Sequence, residues 1–147
     1  DPDLPPLTAS ATEVQQVLLN LINNSVDAMG PSGGVINLTT RYSDGQIFLT
    51  VADDGVGIAE ANLARIFDPF YTTKPVGQGT GLGLSICYGI IKKLGGNITV
   101  QSTKGKGTIF TIQLPVTSDN RSGDASASAV GKQDHHSETQ NSVFQTQ

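Results

Sequence analysis

Apolar residues recur at intervals of three and four along Val14, Val17, Leu18, Leu21, Ile22, Val26 and Met29, the period of a helix with one buried face. Ser10 and Glu13 have the spacing of a capping box ahead of that run, so a helix is predicted to start at Ser10, and Gly30 followed by Pro31 stops it. The pattern then changes to that of strands. Residues 35–42 and 47–52 read as two strands that pair antiparallel through Asp44-Gly45, a dipeptide suited to the positive backbone angles of a tight hairpin. A short helical piece is predicted over 60–66, and a second striped helix over 84–94, carried by Ile86, Ile90, Ile91 and Leu94 and ended by Gly95-Gly96. Two more strands, 97–102 and 108–114, flank the turn TKGKG. Helix, two strands, loop, helix, two strands predicts an α+β fold with an antiparallel or mixed sheet and its helices on one face. A doubly wound parallel sheet would need strict alternation, which is missing here.

The flanks read differently from this body. Residues 1–9 are proline-rich and extended, as expected for the end of an upstream linker, and the folded domain is assigned to 10–115. Residues 116–147 are small and polar without periodicity, the composition of a disordered tail or linker. His135 and His136, the only histidines, fall in that stretch, so no catalytic role is assigned to them.

Composition narrows the function classes. No run of 18 apolar residues and no basic, apolar start is present, so neither a membrane span nor a secretion signal is predicted. Cys87 is alone, which excludes disulfides within the chain and a multi-cysteine metal site, and points to a reducing compartment. A net charge of −4 without a basic cluster offers none of the phosphate-neutralising charge that nucleic acid requires. The 17 glycines are the compositional oddity, and several are spaced at two. That spacing suggests backbone brought close to a ligand.

Three segments carry candidate chemistry. Asn20, Asn24 and Asp27 lie at i, i+4 and i+7 of the first helix, a polar stripe in which an amide oxygen is a hard neutral ligand suited to Mg²⁺; a stripe facing water is the plainer alternative. In DDGVGI at 53–58, Asp53 ends a strand where its carboxylate can accept from an exocyclic amine such as adenine's, with Gly55 and Gly57 beside it, although an Asp/Gly turn has the same look. GQGTGLGLS at 77–85 runs into the second helix, so free N–H groups and a positive helix terminus converge on an anion site suited to a triphosphate. It is neither a Walker loop nor the dinucleotide fingerprint. Ahead of it, IFDPFYTTK at 66–74 sets Phe67, Phe70 and Tyr71 at helical spacing, either as core or as one hinge of a lid over 68–79 that is expected to move in the absence of ligand. Lys74 then becomes a point charge able to reach phosphate.

Taken in order, QQVLLNLINNSVDAM, DDGVGI, IFDPFYTTK, GQGTGLGLSICYGII and GKGTIFTIQLP resemble the five conserved boxes of the ATP-binding domain of sensor histidine kinases. That superfamily also holds type II topoisomerases, the ninety-kilodalton heat-shock chaperone and the mismatch-repair ATPase. The resemblance covers about residues 4–115. It implies a two-layer α/β sandwich of the Bergerat type, with a mixed, mostly antiparallel sheet and ATP held between the first helix and the lid. By the same resemblance Asn24 holds Mg²⁺, Asp53 takes the adenine amine, Thr108 lies near the base, and Gly81, Leu82 and Gly83 offer amides to the phosphates. Asn20 near the phosphates and Lys74 are the implied catalytic residues, and Asp27, Gly55, Gly57, Ile58, Phe67, Gly79, Thr80 and Leu84 complete the nucleotide-binding set.

The implied chemistry is transfer of the γ-phosphoryl group to a histidine on a separate dimerisation domain of the same protein, a homodimer, with a response regulator downstream. The implied setting is the cytoplasm, without membrane or nucleic-acid contact by this domain. Two departures stand out. Many histidine kinases carry lysine where Asp27 stands, as the chaperone branch carries aspartate. No segment before Ser10 is long enough for a histidine-bearing helix, so these residues alone are expected to bind ATP without phosphorylating themselves. The alternative is an ATPase or nucleotide sensor of the same superfamily; a hydrolase places glutamate where Asn20 stands, and an amide cannot take a proton as a carboxylate can.

Overall fold

A computed structural model describes residues 1–75, 77 and 79–116; the polar stretch with His135 and His136 lies outside them. Helix α1 covers Ala11–Met29, and the Ser10 hydroxyl accepts the Glu13 N–H at 3.4 Å, the capping contact that the sequence predicts. Its buried line is Val17, Leu21 and Ser25. Val26, one residue or about 100° further round the helix, is 50% exposed although it shares the apolar period. Past Met29 the chain tightens into a single 3₁₀ turn, Gly30–Ser32, with Pro31 placed where its missing N–H costs nothing.

Strands β1 (Ile36–Ser43) and β2 (Gln46–Asp53) form the expected hairpin, with Asp44 at φ 54° and Gly45 at φ 74° as both central residues require. Helix α2 is Glu60–Leu63, shorter than its predicted 60–66. The aromatics that follow do not share a helix face. Pro69 disfavours helical backbone at Asp68, and Phe70 sits at φ 66° with its N–H donated to the Gly81 carbonyl at 3.0 Å.

Helix α3 runs Gly83–Lys93 and ends in a Schellman turn: Gly95 at φ 73° donates to Lys92 O at 3.0 Å, and Gly96 donates to Ile91 O at 2.9 Å. Lys92 and Lys93 in the last turn complement the helix dipole. Strands β3 (Asn97–Thr103) and β4 (Gly107–Pro115) complete one sheet of order β1-β2-β4-β3. Every pairing in it is antiparallel among the described residues, the first of the two sheet types, antiparallel or mixed, that the element order predicts.

Register sets the core. Val51 faces Phe110, Leu49 faces Ile112 and Ile47 faces Leu114, and all of these but Ile47 share one core with Val17 and Leu21 of α1 and Cys87, Ile90 and Ile91 of α3. The helices lie antiparallel across this face, linked at three levels: Lys93 to Glu13 at 2.7 Å, the Cys87 thiol to Val17 O at 3.8 Å, and Asn20 to Gly83 at 3.2 Å. Cys87 is fully buried, and burial pushes its thiol above the ordinary value, which keeps it protonated and unreactive. Leu7, in the segment assigned to a linker, packs against this core.

This topology brings the end of β2, the start of β4, the N-terminus of α3 and the second half of α1 to one end of the sheet. The segments singled out by their motifs are those four and the loops between them.

Candidate functional site

Helix α1 is the spine of this end of the molecule, because four of its residues hold four separate segments. The Asn20 side chain donates to Gly83 O at the start of α3 (3.2 Å), Ser25 donates to Asp53 at the end of β2 (2.9 Å), Asp27 pairs with Lys74 (2.5 Å), and Ala28 O accepts the Val56 N–H (3.0 Å). Residues 20 to 28 span about 12 Å of helix axis at 1.5 Å per residue. Asn24 lies one turn beyond Asn20 on the same side, half-buried.

Both oxygens of the Asp53 carboxylate are engaged: Oδ1 accepts the Gly55 N–H at 3.0 Å and Oδ2 accepts the Ser25 hydroxyl. Thr108 is its cross-strand partner and is 4% exposed, with its hydroxyl 3.0 Å from that of Ser102. Ser102 also accepts the Ile58 N–H at 2.8 Å, which fixes the far end of DDGVGI against β3. Acceptor, hydroxyl and partly buried Ile58 therefore stand together at the sheet end.

The glycines of these loops answer to the protein's own backbone. A Cβ on Gly55 would lie 2.8 Å from Ala28, one on Gly57 would lie 2.1 Å from Thr103 O, and one on Gly81 would lie 2.4 Å from the Phe70 carbonyl carbon. Packing between segments thus requires glycine there independently of any ligand. Gly83 differs, since a Cβ there would meet only the Asn20 side chain at ordinary contact.

Leu82 donates its N–H to the Thr80 hydroxyl at 3.3 Å, so one of the amides expected to face phosphate already has a side-chain partner. The amides of Gly83, Leu84 and Ser85 open α3, where a helix leaves its first N–H groups without intrahelical partners and presents positive charge. Leu84 packs its side chain on the core, and Gly79 lies against Thr72 and Lys74, close enough that a Cβ would meet the Thr72 hydroxyl at 2.8 Å. Lys74, expected to be free to reach phosphate, is paired with Asp27 across the gap between lid and helix; 34% and 55% of their side chains are exposed, so the pair stabilises by at most about 1 kcal/mol. Phe67 belongs to the hydrophobic core, its ring 5.6 Å from that of Tyr88.

A cavity of about 420 Å³ opens elsewhere, on the sheet face turned away from the helices, lined by Asn37, Ala52, Asp54, Gln101, Lys106 and Ile109 among others. Asp53 and Thr108 line it, but none of Asn20, Asn24, Lys74 or Leu82 does, so it does not gather the motif residues.

Ser25 and Ser102 escaped the sequence reading. A signal for Ser25 was present: it is a polar residue four after Leu21 and eight after Val17, on the line of the helix that is buried. Ser102 had none beyond its place at the end of a strand.

A two-layer sandwich that gathers an asparagine-bearing helix, a strand-end carboxylate and a glycine-rich helix start defines a nucleotide-binding domain. Residues 9–118 match the family described as histidine kinase-, DNA gyrase B-, and HSP90-like ATPase, and the chain belongs to that family. Within it, the chain is an ATP-binding catalytic domain of the sensor histidine kinase type. It is 42% identical over 115 residues to Sporulation kinase E of Bacillus subtilis, covering 78% of this chain and 15% of that protein. It is 44% identical over 113 residues to the sensor histidine kinase ZraS of Escherichia coli, covering 77% of this chain and 24% of that protein. The chain thus spans a quarter or less of these curated relatives. Among solved structures it is similar to the nucleotide-free catalytic domain of histidine kinase ThkA, with a TM-score of 0.65 and 38% identity over 74% of this chain and 70% of that one. Full-length ShkA in complex with AMPPNP gives a TM-score of 0.67 at 34% identity, covering 76% of this chain and 23% of that one.

Proposed function

We propose that this domain binds Mg-ATP between α1 and the 68–82 segment and presents the γ-phosphoryl group to a histidine on a dimerisation domain of the same protein. What supports this reading is the α1 spine, from which Asn20, Ser25, Asp27 and Ala28 hold the start of α3, the end of β2, Lys74 and Val56. Asp53 supplies the acceptor for an adenine amine, with Thr108 beside it. The start of α3 and Lys74 supply positive charge for the triphosphate.

The fit to Mg²⁺ rests on donor chemistry. Among the described residues no three of His, Cys, Asp and Glu converge, so a protein-only cage for a divalent ion is missing there. Mg²⁺ needs no such cage, since it commonly keeps waters and takes phosphate oxygens, and the Asn24 amide oxygen is a ligand of the right hardness. Bound there, the ion would neutralise phosphate charge. The protein's remaining task is positioning and electrostatic stabilisation. Asn24→Ala is expected to remove most of the Mg²⁺ dependence of ATP binding, measured by titrating nucleotide with and without the ion; an unaltered Mg²⁺ response would rule out the ligand role.

The Asp27–Lys74 pair has a consequence at this site. Asp27→Asn frees Lys74 and removes a negative charge beside the triphosphate, so ATP affinity is expected to rise about two- to fivefold at low salt and less above 0.5 M salt, where the Debye length is only a few Å. Weaker binding would show instead that Asp27 holds Lys74 in its working position.

Phe70 is 75% exposed at the base of the lid, and Ile86 and Tyr88 of α3 are 37% and 40% exposed. Their exposed apolar surface, which for Tyr88 remains beside its contact with Phe67, suits contact with a phosphoacceptor helix. A sensor kinase working through a response regulator, in the cytoplasm, is the setting that this reading implies; among the described residues no helix is long and apolar enough to cross a membrane. The test is to mix the chain with Mg-ATP and the parent's separately made dimerisation domain and to look for acid-labile phosphate on histidine. Its appearance is expected, and its absence despite measured ATP binding would leave a nucleotide sensor.

A further inference from the structure

We propose that Ser25 is a positioning residue that locks the Asp53 carboxylate as an acceptor and so sets the preference for a 6-amino purine, a role that rests on the reading of Asp53 as the adenine partner. Among the described residues two polar side chains are buried, Ser25 at 1% exposure and Thr108 at 4%, and both flank Asp53. Thr108 is held by Ser102. Ser25 stands on the buried line of α1 begun by Val17 and Leu21, where packing alone would be served by alanine.

The direction of the Ser25 bond is fixed by chemistry. An ionised carboxylate only accepts, so the Ser25 hydroxyl donates to Oδ2 at 2.9 Å while the Gly55 N–H donates to Oδ1 at 3.0 Å. A carboxylate offers about four lone-pair sites, of which these bonds use one on each oxygen. What remains is one acceptor site per oxygen, held by a helix on one side and a loop on the other. A base edge carrying an amino group satisfies such an acceptor, whereas a base without one leaves it unpaired. Ser25 also follows Asn24 directly, so the carboxylate is held by the residue adjoining the proposed metal ligand.

Without the hydroxyl, Asp53 keeps only the Gly55 bond and turns more freely, so selectivity falls faster than general binding. The test titrates the 147-residue chain with Mg-ATP and with purine riboside triphosphate, which lacks the 6-amino group. The unaltered chain is expected to prefer ATP by about tenfold or more, and Ser25→Ala to weaken ATP by about three- to tenfold while changing the analogue less than about twofold. Ser25→Cys keeps the volume and a weak donor, should give an intermediate ratio, and decides the matter if Ser25→Ala does not fold. Equal weakening of both nucleotides, or an unchanged ratio in the folded variants, would mean that Ser25 serves packing alone. Asp53→Asn separates the two layers. If it erases the preference while the Ser25 variants keep it, only the Ser25 role falls. If the unaltered chain shows no preference for ATP, the adenine role of Asp53 falls and the Ser25 role with it.

Discussion

Asp53→Asn is expected to weaken ATP binding by about thirty- to a hundredfold in a calorimetric titration while leaving the fold intact. Both oxygens of Asp53 receive donors, Gly55 N–H on one and the Ser25 hydroxyl on the other. An asparagine must turn its NH₂ group toward one of them. Facing Gly55 it sets donor against donor, and facing Ser25 it forces that hydroxyl to reverse; in either orientation an acceptor site for the base amine is gone. Mispairing such a partly buried group costs about 2 to 2.7 kcal/mol, which converts to the stated loss of affinity. Unchanged affinity would remove Asp53 from the base site.

Gly107→Ala is expected to lower stability by about 3 kcal/mol, combining about 1 to 2 kcal/mol for a side chain at left-handed φ with about 1 to 3 for overpacking. Gly107 sits at φ 98°, and a Cβ there would lie 2.0 Å from the Asp53 carbonyl oxygen. That oxygen belongs to the strand end whose side chain is the proposed base acceptor, so the strain falls on site and fold together. For a domain of this size the melting temperature should drop by more than about 10 °C. A drop of under about 3 °C in the ligand-free chain would show that β4 can shift aside without loss.

The elements visible in the sequence were those with local causes. Ser10 caps α1, Asp44-Gly45 turns the first hairpin and Gly95-Gly96 ends α3, each through backbone conformations that neighbouring residues decide. The sheet topology brings the motif segments to one end of the molecule. Long-range causes were hidden. Lys74 and Asp27 are 47 residues apart in sequence and each reads alone as a free charge, yet they pair. The glycines at 55, 57, 81 and 107 look like room made for a ligand, and the atoms that crowd them are Ala28, Thr103, Phe70 and Asp53 of the protein itself. Phe67, Phe70 and Tyr71 have helical spacing, which Pro69 and the Phe70–Gly81 bond override. An apolar period shows only its apolar members, and the worth of Ser25 comes from a partner 28 residues away.

That the nucleotide lies at the motif end of the sheet is best checked by a crystal structure of this chain with Mg²⁺ and a non-hydrolysable ATP analogue. The base is predicted to hydrogen-bond Asp53 beside Thr108, and the triphosphate to lie between Asn20 and Asn24 of α1 and the first turn of α3. An analogue seated instead in the 420 Å³ cavity on the opposite sheet face, against Asp54, Gln101 and Lys106, would contradict it.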